Sequence, residues 1–224
     1  MPKIKTIWFH DLKSKLDGDA IAVDVWGATL NINILLSKKP RHLIVVNEIN
    51  LKKARITYAD AFLVGESRIW PASSFYTSNQ PGDIDRVPTR GKDILWMSAN
   101  GSRVIEKAMV LAKGGVFTGS TGNIKALANY FGKKKGNLNI ILAGNLDEEL
   151  EEDRICGELI RKSILGLSID WDKEVKKIMH AIKTRYEPHN WKGDLHLIPL
   201  YLNKLNNIPK GIVNEKGFIE MVAQ

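Results

Sequence analysis

Cysteine is nearly missing from this sequence: Cys156 stands alone in 224 residues. One thiol excludes an internal disulfide framework and suits a reducing compartment. Long apolar runs are also missing. None approaches the roughly 20 residues that a membrane-spanning helix needs. The opening MPKIKTIWFHDLKSK has no apolar signal core and no small-residue cleavage site. The expectation is a cytoplasmic protein without a membrane span. Histidine is sparse, and His10, His42, His180, His189 and His196 show no paired ligand spacing, which argues against zinc. Gly132-Lys-Lys-Lys-Gly136 lacks the spacing and the Ser/Thr of a P-loop, and Gly119-Ser-Thr-Gly122 is not a full dinucleotide fingerprint. Arg161 follows Cys156 by five positions, one short of a loop that wraps phosphate around a nucleophilic thiol. Cys156 therefore reads as a small buried residue. Asp17-Gly-Asp19 follows a polar segment rather than an apolar strand and reads as a surface turn.

What the sequence does contain is positive charge. The formal net charge is +8, although six acids crowd into residues 147–153 (Asp147, Glu148, Glu149, Glu151, Glu152 and Asp153). The rest of the chain is more basic still. Such a surface attracts anions, whether nucleic acid, acidic membrane or a small polyanionic substrate; a solvated lysine-rich exterior explains the charge equally well. No aromatic residues interleave with the basic ones in an RNA-binding signature, which argues against nucleic acid.

Along the chain, apolar segments alternate with small polar turns and helical stretches. Residues 21–25, 42–46, 61–64, 93–98, 115–118 and 138–142 read as strands. Helical patterns follow most of them, at 30–36, 51–58, 104–113, 124–131 and from the acidic run to about 165. This alternation predicts a three-layer α/β/α sandwich around a largely parallel or mixed sheet. Residues 71–88, rich in Pro, Ser, Thr and Asn, read as an ordered loop. Residues 172–185 read as an exposed basic helix. The expected organisation is one α/β domain over 1–224, with 1–186 as the main βα core and 187–224 as an irregular C-terminal segment packed on it. Residues 195–200 and 211–213 are candidate edge strands.

Ligands in α/β sheets gather at the carboxyl ends of strands, so the turns there carry the candidates. Asp24 sits inside Ala-Val-Asp-Val, where a charge is costly unless it has a partner. Glu66 follows an apolar strand and a glycine, and Glu152 and Asp153 lie just beyond another. Brought to one edge, these carboxylates would suit magnesium, which prefers oxygen ligands and keeps several waters. The competing reading is that Glu66 and the acidic run cap helices, where the dipole favours negative charge. Asn100-Gly101-Ser102-Arg103 reads as an anion cradle: Gly101 permits close approach, Ser102 donates, and the helix points free N–H groups forward. Arg103 adds a forked clamp. Ser120, Thr121 and Asn123 form a second candidate cradle. Ordinary N-capping explains both equally well.

In combination these pieces resemble the 2-phosphosulfolactate phosphatase family. The resemblance rests on Asp24-Val-Trp-Gly-Ala-Thr29, Gly65-Glu66, Ser78-Asn-Gln-Pro81, Ser98-Ala-Asn-Gly-Ser-Arg103, residues 119–123, and Ala143-Gly144 with Glu152-Asp153 and Cys156-Gly157, in order from about residue 21 to 160. It implies a magnesium-dependent hydrolase that converts 2-phospho-3-sulfolactate to 3-sulfolactate and phosphate, a step toward coenzyme M. The partner would be a small anionic phosphorylated substrate; a homo-oligomer stays open. Carried over by position, Asp24, Glu66, Asn100, Gly101, Arg103, Asn123, Glu152 and Asp153 match the family's functional positions. Asp24, Glu66 and Arg103 are the catalytic candidates, and Asp24, Glu152 and Asp153 the metal candidates. Gly27 departs from the family pattern, which has arginine there. Losing one charge-assisted hydrogen bond costs about 1.5–3 kcal/mol. The alternative is therefore a divergent anion-binding member that lost catalysis with that arginine.

Overall fold

The computed structural model describes residues 1–26, 28–186 and 195–224. Its centre is a nine-stranded sheet in the order β1-β7-β2-β6-β8-β9-β3-β5-β4. The strands are β1 (Lys3–Trp8), β2 (Asp19–Val23), β3 (His42–Val45), β4 (Phe62–Gly65), β5 (Asp93–Met97), β6 (Val116–Gly119), β7 (Asn137–Leu142), β8 (Pro209–Val213) and β9 (Ile219–Ala223). The helices are α1 (Thr29–Ser37), α2 (Leu51–Thr57), α3 (Pro81–Arg86), α4 (Gly101–Leu111), α5 (Ile124–Phe131), α6 (Glu151–Ile164), α7 (Trp171–Tyr186) and α8 (Leu197–Tyr201).

Strand alternation sorts side chains to two faces. Ala20, Ala22, Leu43, Val45, Ile94 and Trp96 join α1, α3 and α4 in one apolar layer. Ile21, Val23, Ile140 and Leu142 pack against α5, α6 and α7 on the other. Ile44, Val46, Leu95 and Met97 meet α2. The result is the three-layer α/β/α sandwich expected from the alternation of elements.

The sheet is mixed in a particular way. β1, β7, β2 and β6 are mutually parallel, as are β3, β5 and β4. The β8–β9 hairpin lies between these blocks and pairs antiparallel with β6 on one side and β3 on the other. The two blocks therefore run in opposite senses along the ladder. Helix α1 is buried on every side from Thr29 to Leu36 and packs against β6, β8 and β9. Turns at the carboxyl ends of both opposed blocks line one pocket, as the ordinary twist of a sheet, roughly 20–25° per strand, permits.

Several expectations need correction. The C-terminal region is not merely an irregular layer packed on a finished core: β8 and β9 occupy the middle of the sheet. Residues 211–213 therefore form no edge, and residues 197–201 are helical. Pro81, with its φ preset for a helix start, opens α3 inside the expected loop. The basic helix is exposed on one side only, because Val175, Ile178 and Ile182 are buried. His189 and the rest of residues 187–194 lie outside the described residues, as does Gly27.

Candidate active site

A pocket of about 300 Å³ opens where the turns after β2, β4, β5 and β7 converge. Its wall includes Asp24, Glu66, Arg68, Asn79, Ser98, Asn100, Asn145, Glu152 and Arg185. Each acid is placed by local backbone chemistry. Asp24 leaves β2 and is held by Thr29 at the start of α1: Thr29 Oγ1 donates to Asp24 O at 2.8 Å, and Thr29 N–H donates to the same oxygen at 2.9 Å. Glu66 follows Gly65, whose φ of +122° and approach to Met97 admit no side chain; a Cβ there would lie 1.9 Å from Met97 O. Glu66 N–H then donates to Met97 O at 3.0 Å. Glu152 lies in the first turn of α6, where Arg185 Nη1 donates to its Oε1 at 3.0 Å.

The acidic run divides cleanly. Asp147, Glu148, Glu149 and Glu151 are exposed, whereas Glu152 and Asp153 are buried. Glu152 faces the pocket. Asp153 stands behind it: Oδ1 accepts the Val25 N–H at 2.8 Å and Oδ2 accepts the Gly144 N–H at 3.0 Å. One carboxylate thereby ties the end of β2 to the end of β7.

The electrostatics follow from this crowding. Burial holds the Asp24 carboxyl well above its ordinary range, and the negative charges of Asp153, Glu66 and Glu152 add to the effect; Arg185 opposes it. Asp153 is raised chiefly by burial, against the lowering effect of the Val25 and Gly144 amides. Glu66 is open to solvent at the pocket mouth, yet surrounding protein raises it, against a hydrogen bond from Asn79 and the charges of Arg68 and Arg185. Cys156 is fully buried in the helix layer, and burial pushes its thiol up, so it supplies no thiolate.

The fold places Asp24, Glu66, Asn100 and Glu152 on one pocket wall; Asp153, the third metal candidate, is not part of that wall and has both oxygens on backbone amides, and other candidates lie elsewhere. Gly101 does make a close approach, though to protein: a Cβ there would sit 2.4 Å from Ala28 Cβ and 3.1 Å from Asp24 Oδ2. Its N–H donates to Ser98 Oγ at 3.3 Å. Ser102 is buried, with Oγ accepting the Ser98 N–H at 3.0 Å. The expected Arg103 clamp is corrected: its guanidinium lies over the Phe9 ring, 5.5 Å from the centroid, and is not part of the pocket wall. Ser120, Thr121 and Asn123 are fully buried in a separate turn after β6. There Asn123 Oδ1 accepts the Ser120 N–H at 2.9 Å, and Asn33 Nδ2 donates to Ser120 Oγ at 3.1 Å. This second cradle is part of the packing between α1 and β6.

Arg68, Asn145 and Arg185 are not among the candidates read from the sequence, and Asn79 enters there only within the stretch Ser78-Asn-Gln-Pro81. Arg68 lies two positions beyond Glu66 and could have been flagged. Arg185 meets Glu152 across 33 residues, and no local pattern announces that.

Among the described residues, no group of three or more His, Cys, Asp or Glu is gathered closely enough to hold a metal ion. The pocket does offer hard oxygen donors, and Asp24 is disfavoured as an anion where it stands. A hard cation would relieve that repulsion. Magnesium commonly uses only one or two protein carboxylates, with water and substrate oxygens completing its shell. The donor chemistry fits such an ion without a preformed cluster.

The family model of 2-phosphosulpholactate phosphatase matches residues 9–196. A curated relative from Clostridium tetani, named a probable 2-phosphosulfolactate phosphatase, is 27% identical over 176 residues, covering 76% of this chain and 75% of its own. A relative of the same name from Caldanaerobacter subterraneus subsp. tengcongensis is 25% identical over 181 residues, covering 80% and 73%. A third, from Thermoplasma volcanium, is 24% identical over 162 residues, covering 70% and 73%.

Proposed function

The chain belongs to the 2-phosphosulfolactate phosphatase family, and on that premise we propose that it is a magnesium-dependent phosphatase of a small acidic phosphomonoester. The substrate is 2-phospho-3-sulfolactate, and the products are 3-sulfolactate and phosphate. The observation that carries this reading is the meeting of Asp24, Glu66 and Glu152, from three distant stretches of chain, in one small pocket with Asn100.

Asp24 and Glu152 would hold a magnesium ion through their carboxylate oxygens. Such an ion would supply charge neutralisation at the phosphoryl oxygens. Asp153 acts behind them as a positioning residue, because its two amide contacts set where Asp24 and the turn after β7 lie. Arg185 keeps Glu152 oriented toward the pocket. Asn100 presents an amide group beside the phosphoryl position. Glu66, at the pocket mouth with a carboxyl that the surrounding protein raises above its ordinary range, is suited to orient water and to exchange a proton at Oε. The pocket carries two arginines, Arg68 and Arg185, to offset three acids.

The test is phosphate release from a panel of small acidic phosphoesters, with magnesium and with EDTA. Magnesium-dependent release, highest for 2-phospho-3-sulfolactate, is expected. No release from any panel member, or release that EDTA leaves intact, would sink the proposal.

A further inference from the structure

Among the described residues, Arg68 is placed differently from Arg185, the other arginine of the pocket wall. Arg185 is committed to Glu152 at 3.0 Å, and Arg103 lies over Phe9. Arg68 instead donates from Nη2 to two neutral oxygens, Asn100 Oδ1 at 2.8 Å and Asn145 Oδ1 at 3.2 Å. Among the described residues no carboxylate lies within ion-pair distance of it, although its charge acts on the nearby Glu66 carboxyl. The two asparagines are themselves joined, with Asn100 Nδ2 donating to Asn145 Oδ1 at 3.3 Å.

This arrangement strings one guanidinium across three turns: its own after β4, that of Asn100 after β5, and that of Asn145 after β7. Because the β4–β5 block opposes the β7–β2 block, Arg68 bridges the two halves of the sheet at the pocket mouth. It is exposed there, whereas Asp24 is buried in the pocket wall. A guanidinium has a rigid fork of donors that matches an oxyanion. Its direct hydrogen bonds go to neutral amide oxygens, so an anion that replaces them gains a charge-assisted contact.

We propose that Arg68 is the specificity-determining residue of this pocket, receiving a second oxyanion of a substrate whose phosphoryl group lies deeper, beside Asp24. The inference rests on the reading of this pocket as the phosphatase site. It adds that the enzyme distinguishes a phosphomonoester with a second acidic group from one of similar size without it, and that one residue carries most of the distinction.

Binding tests this without turnover. Phosphonoacetate has a phosphonate and a carboxylate; methylphosphonate has the phosphonate alone. Both are titrated calorimetrically, with magnesium, into the parent protein, Arg68→Ala and Arg68→Lys. The parent should bind phosphonoacetate more tightly than methylphosphonate. Arg68→Ala should weaken phosphonoacetate about 10- to 100-fold more than methylphosphonate, the range expected for one charge-assisted hydrogen bond. Arg68→Lys should recover part of that preference, because it restores charge but not the fork.

Equal weakening of both probes in Arg68→Ala would mean that Arg68 only ties the turns together, and the proposal would fall. It would also fall if the parent bound neither probe or showed no preference. A preference that depends on Arg68, with no phosphate release from any ester, would keep this inference and overturn the phosphatase reading. Release without an Arg68-dependent preference would do the reverse.

Discussion

Asp153 Oδ1 accepts the Val25 N–H at 2.8 Å across 128 residues of sequence, and this bond joins the acidic segment to the strand end that bears Asp24. The other oxygen of the same carboxylate holds Gly144. Asp153→Ala should therefore strand two buried amides, each costing about 1–3 kcal/mol, partly offset by the removal of a buried charge. The expected net loss is about 2 kcal/mol, read from urea denaturation, with phosphate release falling as Asp24 shifts. A fully stable and fully active variant would remove Asp153 from its positioning role.

Asp24 carries the opposite kind of energy. Its folded-state carboxyl is raised well above its ordinary 3.8, so the folded protein binds the proton more tightly than the unfolded chain does. By linkage, stability falls as pH rises from about that ordinary value through the raised one. Asp24→Asn in EDTA should be more stable than the parent at pH 8, because it removes a carboxyl that burial and neighbouring acids disfavour as an anion. The gap should close as pH falls toward 4. Magnesium-dependent turnover should drop at least about 100-fold, since even outer partners of metal ligands cost about 10–100-fold. Thermal melts across pH and a phosphate assay read both effects. A substitution that is neutral in stability at pH 8 would contradict the electrostatic account.

Gly101 and Ala28 leave no room for a methyl group between them. Gly101→Ala should cost about 1–3 kcal/mol through overpacking and reduce turnover by displacing Asn100. Adding Ala28→Gly should recover more than half of the stability loss. Purely additive effects in that double-mutant cycle would show that the two sites are not in contact.

Arg103 and Cys156 should be dispensable for chemistry. With its guanidinium over Phe9, Arg103→Ala is expected to leave kcat/KM within about twofold, the scale of an ordinary surface substitution. Cys156 is fully buried with its thiol pKa pushed up. N-ethylmaleimide should neither label the native protein nor reduce its turnover, while unfolding in urea should expose one reactive thiol. A large loss of activity in Arg103→Ala would restore that residue to the site.

Much of the site was legible because its residues stand at strand ends in recognisable local contexts. Gly65-Glu66 can be read as a turn that aims a side chain, and Asp24 is conspicuous inside an apolar run. Asn100 precedes a helix. These are short-range signals, and the structure gathers all three. Arg103 misled because its neighbours suggested a clamp, while the helix direction that sends it to Phe9 depends on how α4 packs. Ser120, Thr121 and Asn123 misled for a similar reason: small polar residues cap turns and cradle anions with the same atoms, and only burial separates the two uses.

Local pattern alone determined the α/β class, the succession of most strands and helices, and the chain positions of Asp24, Glu66 and Glu152. Alternating periodicity and turn chemistry act over a few residues, so they are written directly in the order of amino acids. Only the tertiary structure decided that the β8–β9 hairpin divides the sheet into opposed blocks, that α1 is buried on every side, and that Arg68 and Arg185 enter the pocket in place of Arg103. Those outcomes depend on pairings between strands and helices far apart in the chain, where the free energy of burial chooses the partner and the sequence bears no local mark of the choice.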